Sequence, residues 1–224
     1  YTIQVLKEYF KKNFIKSKNM NFADIGCGNG TLLLQLSKQL DYKKIAGFDY
    51  SGTLTKMNKD FFNKNKIKNF QFYESSAEKI DNKKFKNYFD VIFVTWTLSA
   101  CAEPIKFLEN IYKLLKINGV VVIAESSRIL VYNSKSIYSY FSLTHDTGLY
   151  YPWRFSFNSL KNILTYIGLK HIYNNNYKDH NDVVVIAKKT KFKKNYIFDD
   201  YKKIIKFFKN WLSNSKNSKR IGIY

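Results

Sequence analysis

The sequence predicts an α/β fold, a mostly parallel seven-stranded sheet with helices on both faces and an antiparallel hairpin at its C-terminal end. Three observations carry this. From residue 21 to residue 126, short runs rich in Val, Ile and Phe alternate with longer segments of helical periodicity. That alternation is the pattern of a parallel sheet with crossover helices. The first apolar run passes directly into a turn with glycine at positions 26, 28 and 30 and then into a helical run. The last two strand-like runs have only a polar turn between them, so they must pair antiparallel. The 224 residues, 45% of them hydrophobic, suffice for one α/β domain with extensions.

Tyr1–Phe14 reads as a helix and Asn21–Ile25 as the first, buried strand. Leu32–Leu40 is the helix after the glycine turn. Lys44–Asp49 is the second strand, and a helix begins near Ser51. Phe70–Glu74 is the third strand, and Phe89–Thr95 the fourth. Pro104–Lys116 is a helix with apolar residues at 105, 107, 108, 111, 112, 114 and 115, stopped by Asn118-Gly119. Val120–Ala124 is the fifth strand. Arg128–Phe155 has no clear period and is rich in Tyr and Ser. Ser156 or Asn158 caps a helix that Gly168 ends. His171–Tyr173 and Asp182–Lys188 form the hairpin, with Asn174–Asn181 as its turn. Residues 1–190 are expected to form one domain with an insertion at about 127–155. In residues 191–224, a basic linker leads to an amphipathic helix, Asp199–Asn210, and Lys219–Tyr224 looks like the start of a further domain. The chain opens without methionine and is expected to be a piece of a longer protein.

The chemistry is concentrated in the first half. Glycine permits positive φ and lets a ligand lie against the backbone, and a helix N-terminus offers free amide donors. The spacing departs from the dinucleotide pattern G-x-G-x-x-G, whose third glycine would fall at Thr31, and no Lys follows Gly30 as a phosphate loop requires. Asp49 lies about twenty residues beyond the glycines, where an acid accepts both ribose hydroxyls. It can also cap the next helix, and nicotinamide enzymes use the same acid.

The stretch from Asp24 to Gly30, D-x-G-x-G-x-G, resembles motif I of the class I S-adenosylmethionine (SAM) methyltransferases, and Phe89-Asp90-Val91-Ile92 resembles their fourth strand. The resemblance covers residues 21–126 and continues loosely to Lys188. It implies a Rossmann-like sheet, SAM as cofactor, S-adenosylhomocysteine as product, and no metal. By the same resemblance Asp24, Gly26, Gly28, Gly30, Asp49 and Tyr50 hold the cofactor. Ser76 and Ala77 border the adenine, although the family's usual Asp is replaced by Ser76. Thr95 and Trp96 line the methyl-donor pocket.

The acceptor should lie beyond the carboxyl ends of the strands. Tyr150, Tyr151, Trp153 and Arg154 are the expected substrate contacts, suited to a polar ring such as a sugar or nucleotide sugar. His145 beside Asp146 is the candidate general base, with Glu125 at the end of the fifth strand as its rival. The order "YFS…SLKNIL…GL" resembles small-molecule and glycan-precursor methyltransferases of bacteria. This implies O-methylation in polysaccharide biosynthesis; an RNA or other macromolecule methyltransferase and a SAM-binding domain without turnover are the alternatives.

Composition bounds the partners. Net charge is +21, but among 38 basic residues only Arg128, Arg154 and Arg220 are arginines. Base and phosphate readers favour the bidentate arginine fork. The lysines are interleaved with Asn, Tyr and Phe as in an AT-rich genome, so nucleic acid is not the expected partner. Neither Pro104 nor Pro152 sits in a base-methylation motif. The basic helix at 199–210 suits an anionic membrane, with docking onto protein as the preferred alternative. Cys27 and Cys101 lack metal spacing and suggest a reducing, cytoplasmic setting.

Overall fold

The computed structural model describes residues 1–126, 153, 155–175, 182–190 and single positions between 202 and 213. Most of the expected helix at 199–210, the strand-like end at 219–224 and most of the 127–155 insertion lie outside the described residues. Seven strands form one sheet: β1 (Asn21–Ile25), β2 (Lys44–Asp49), β3 (Phe70–Glu74), β4 (Phe89–Thr95), β5 (Leu115–Ser126), β6 (Leu169–Asn174) and β7 (Asp182–Lys189). Their order is β3-β2-β1-β4-β5-β7-β6. The first five are parallel, and β7 pairs antiparallel with both β5 and β6.

Both faces of the central strands are buried, as parallel strands under crossover helices require. Alternate residues go to opposite sides. Ala23, Ile92, Val94, Val121 and Ile123 pack on one face with Phe107, Leu108 and Ile111 of α5 (Pro104–Leu114) and Leu160 and Leu164 of α6 (Phe157–Ile167). Phe22, Val91, Phe93 and Val122 pack on the other with residues of α1 (Thr2–Lys12), α2 (Thr31–Gln39) and α3 (Gly52–Lys64). Phe48 anchors the first core by stacking on Tyr73 and meeting Phe85 and Phe89 edge-on, geometries the ring quadrupole favours.

Two local features differ from the sequence reading. The helix before β5 ends at Leu114, and the strand starts at Leu115 rather than Val120. Leu115 pairs with Phe89, but pairing then skips to Val120 against Val91, with Asn118 at φ +68° inside the skip. The Asn-Gly pair that reads as a helix stop is therefore an irregularity within a longer strand. A single 3-10 turn (Ala77–Lys79) and a four-residue helix, α4 (Asn82–Phe85), also fill the β3–β4 connection. They are too short to leave a periodic signature.

At the other end of the domain, Gly168 closes α6 at φ +91°, its N–H donating to Leu164 and Thr165 carbonyls. Its own carbonyl accepts the Thr190 N–H at 3.0 Å and hydroxyl at 2.9 Å. A side chain in this left-handed conformation costs about 1–2 kcal/mol. Gly168→Ala should lower the urea midpoint accordingly with an unchanged slope, while cofactor affinity stays at the wild-type value by calorimetry.

Candidate active site

The sheet order reverses between β1 and β4. The connection after β1 runs toward β2 and that after β4 toward β5, so a crevice opens at their carboxyl ends. The glycine turn forms one wall. Gly26, Gly28 and Gly30 all have positive φ. The N–H groups of Gly26 and Cys27 donate to the Phe48 carbonyl at 2.8 and 3.0 Å, and the Gly30 N–H to Cys27 at 2.9 Å. A Cβ at Gly26 would run into the Thr97 side chain, whereas one at Gly28 would meet nothing within 4 Å. Gly26 is thus required by packing, and Gly28 by conformation beside open space.

Asp49 holds this turn. Its Oδ2 accepts the Gly28 N–H at 2.8 Å and its Oδ1 the Ser51 N–H at 3.0 Å. Ser51 caps α3 through the Leu54 N–H. Asn58, one turn further along α3, donates to the Gly28 carbonyl at 2.7 Å from the opposite side. Asp49 therefore ties β2, the glycine turn and α3 together, and the helix-cap and ligand readings of this acid are compatible.

Two cavities flank the turn, and both are lined by Gly26, Gly28 and Trp96. One, about 400 Å³, also takes in Asp49, Tyr50, Ser76, Ala77 and Thr97. The other, about 440 Å³, takes in Asp24, Thr31, Gln35, Thr95, Tyr1 and Asp182. Nine of the ten residues expected at the cofactor line one or both cavities, and the tenth, Gly30, caps α2 directly behind them. Asp24 is only 2% exposed, and its Oδ1 has no hydrogen-bond partner. Burial first, and then the Asp49 carboxylate, pushes the Asp24 carboxyl up to about 7. Thr95 Oγ1 is likewise buried without a partner. A buried acid and hydroxyl left unsatisfied at a cavity wall fit a ligand that brings donors and positive charge. SAM carries both.

The β4–α5 loop forms the opposite wall. Trp96 has φ +53°, an uncommon conformation for a bulky side chain, and is 53% exposed between the two cavities. Its N–H donates to the Ala124 carbonyl at 2.8 Å. Glu125 is 2% exposed, and its Oε1 accepts the N–H groups of Leu98 at 2.9 Å and Ser99 at 3.3 Å. The structure thus gives the rival base an anchoring task. Trp153 lies across the same loop, donating from its backbone to Ser99 O at 3.3 Å and from Nε1 to Cys101 O at 2.8 Å. It braces the loop from outside instead of lining either cavity. His145, Tyr150, Tyr151 and Arg154 lie outside the described residues.

Asn58 and Asn110 escaped the sequence reading. Asn110 donates to the carbonyls of Ala77 at 3.2 Å and Glu78 at 2.8 Å and so positions the loop beside the first cavity. Each was signalled by an amide on the buried stripe of an amphipathic helix, Asn58 between Thr55 and Phe62, and Asn110 between Phe107 and Leu114. Burial raises the thiol pKa of Cys27, and the Asp24 and Asp49 carboxylates raise it further, so it packs as a neutral thiol. Among the described residues, no group of three or more His, Cys, Asp or Glu is placed to hold a metal ion, and no helix is long and apolar enough to cross a membrane.

The chain is 36% identical over 118 residues to the tRNA U34 carboxymethyltransferase of Helicobacter pylori, covering 50% of this chain and 42% of that protein. It is 28% identical over 152 residues to the ubiquinone/menaquinone biosynthesis C-methyltransferase UbiE of Wigglesworthia glossinidia brevipalpis, covering 64% and 60%. The chain thus spans less than half the length of the first relative and under two thirds of the second. Among solved structures, a SAM-dependent methyltransferase from Aquifex aeolicus shares the fold at TM-score 0.61 and 23% identity, over 82% of this chain and 89% of that one. The family model described as "Methyltransferase domain" matches residues 16–200. With the glycine turn, its two acids and the reversal of strand order in place, the chain belongs to the methyltransferase-domain family.

Proposed function

We propose that this domain transfers a methyl group from SAM to a hydroxyl of a small polar acceptor, a sugar or nucleotide sugar, in the cytoplasm. One observation supports the acceptor reading most. The insertion rich in Tyr and Ser leaves the sheet next to Glu125 and returns at Trp153, and both ends are hydrogen-bonded to the same loop, 98–101, at the rim of the crevice. An aromatic, hydroxyl-bearing segment rooted at that rim suits a ring-shaped polar ligand.

SAM, when bound, supplies an activated sulfonium methyl. Asp49 would accept the ribose hydroxyls while keeping the glycine turn in place, and Ser76 and Ala77 would border the adenine. Asp24 and Thr95, each with an unpartnered oxygen at the cavity wall, would hold the positively charged half. Trp96, at the junction of the two cavities, bounds the path by which an acceptor approaches. Glu125 acts as a positioning residue for the loop that carries Trp96. His145, next to Asp146 in the sequence, takes the proton from the acceptor hydroxyl. The chemical demand on the chain is alignment plus removal of one proton.

A second reading, methylation of RNA, is favoured by the similarity to tRNA enzymes and by the net charge of +21. Methyl-tritiated SAM incubated in parallel with nucleotide sugars and with total tRNA separates the two. Label in the sugar fraction supports the proposal, and label in tRNA alone replaces it.

Three outcomes are expected at the site. Asp49→Ala should weaken SAM binding by about 2–4 kcal/mol in calorimetry, since charged hydrogen bonds contribute about 1.5–3 kcal/mol each. His145→Ala should lower kcat about 10²–10⁴-fold with SAM affinity unchanged; Glu125→Gln, which keeps the accepting oxygen, should retain most activity. Asp24 gives a pH dependence with a defined sign. A carboxyl raised from 3.8 to about 7 holds a proton in the folded state that the unfolded state has lost. Its stabilising effect is full below about pH 4 and is lost as pH rises through 7. Asp24→Asn should therefore raise the Tm of the free protein more at pH 8 than at pH 5. Cationic SAM expels that proton, so its affinity should climb by up to about tenfold per pH unit between pH 6 and 7. Calorimetry in buffers of different ionisation enthalpy should read proton release that Asp24→Asn abolishes.

A further inference from the structure

Lysine is distributed asymmetrically along the strand direction. Among the described residues, the site-side connections 26–30, 50–51, 75–81 and 96–103 contain one lysine, Lys79, and three acids, Glu78, Asp81 and Glu103. The connections at the opposite edge, 13–20, 40–43, 65–69 and 86–88, contain six lysines and one acid, Asp41. An AT-rich genome would enrich lysine at both edges alike. The helix macrodipole accounts for lysines in last turns, such as Lys11, Lys12, Lys38 and Lys64, but its influence falls off within that turn. It leaves the loop lysines without an internal reason to be there.

These loops lie against one another. The N–H groups of Lys43 and Lys44 donate to the Met20 carbonyl at 2.9 and 3.4 Å, the Ile45 N–H donates to Asn69 O at 2.9 Å, and the Tyr42 hydroxyl to Lys68 O at 3.0 Å. Lys16, Lys18, Lys43, Lys66 and Lys68 are all exposed along this edge. Beside them stands Phe14, 95% exposed and held at φ +53° just past the end of α1. A phenylalanine this exposed among lysines has no partner among the described residues that would explain its position.

We propose that this lysine edge, with Phe14 as its apolar tip, is a peripheral docking surface for an anionic phospholipid bilayer, orienting the cofactor crevice away from the membrane. Charge complementarity selects an anionic partner, and lysine, a hydrated point charge, suits a diffuse headgroup field better than bidentate phosphate reading. Position selects against an RNA substrate: an acceptor bound here would lie at the edge of the sheet opposite Trp96. An exposed aromatic ring beside lysines is what the headgroup–acyl boundary takes up.

The test uses the full chain with vesicles of neutral phosphatidylcholine and of the same lipid containing phosphatidylglycerol, read by co-sedimentation. Binding to the anionic vesicles alone is expected, and it should be lost in high salt. Each lysine near an anionic surface contributes about fivefold, so Lys16→Glu with Lys18→Glu should weaken vesicle binding at least about 30-fold. Phe14→Ser should weaken it further, and SAM affinity and Tm should remain at wild-type values. Equal binding to neutral vesicles, or undiminished anionic binding in these variants, would overturn the proposal; the second result would assign membrane affinity to the segment beyond residue 190. Loss of tRNA binding in the variants with vesicle binding intact would also overturn it, making the edge an RNA surface.

Discussion

The contact on which the rest of the site depends is the pair of hydrogen bonds from Gly28 and Ser51 to the carboxylate of Asp49. A charged acceptor buried at the end of a strand is costly unless donors converge on it. Here the donors are backbone N–H groups from the two turns that follow β1 and β2, so satisfying the charge fixes both turns at once. Asn58 closes the arrangement from α3 by donating to Gly28 O. The glycine turn is thereby held by hydrogen bonds on both sides, and among the described residues no side chain comes within 4 Å of a Cβ placed at Gly28.

The same logic orders charge along the whole domain. α2, α3 and α5 begin at the carboxyl edge of the sheet, at Thr31, Gly52 and Pro104, so their positive ends face the crevice. Asp24, Asp49 and Glu125 are buried there, while lysine gathers at the opposite edge. Of the three acids, Asp49 and Glu125 are occupied by backbone N–H groups, and Asp24 keeps an unpartnered oxygen. Fold polarity thus separates acids that shape the site from the one left to respond to a ligand.

The loop after β4 is where cofactor and acceptor functions meet. Thr97 packs against Gly26, Glu125 holds Leu98 and Ser99, and Trp153 braces Ser99 and Cys101. Trp96 is carried by this loop in a left-handed backbone conformation that its neighbours impose. Three segments far apart in the chain therefore hold the loop that carries Trp96.

By itself the sequence determined the strand–helix alternation, the glycine turn, the acid at the end of β2 and the closing hairpin. Each rests on a local signal, whether a period of two or of 3.6 residues or a spacing of glycines, and such signals survive in one dimension. The boundary between α5 and β5 was not legible, because Asn118-Gly119 is as suitable for a strand irregularity as for a helix stop, and pairing with Phe89 decided between them. Tertiary structure alone decided the tasks of Asn58, Asn110 and Glu125 and the outward place of Trp153. A polar side chain's role depends on which backbone group it meets, and those groups lie 30, 33, 27 and 52 residues away along the chain.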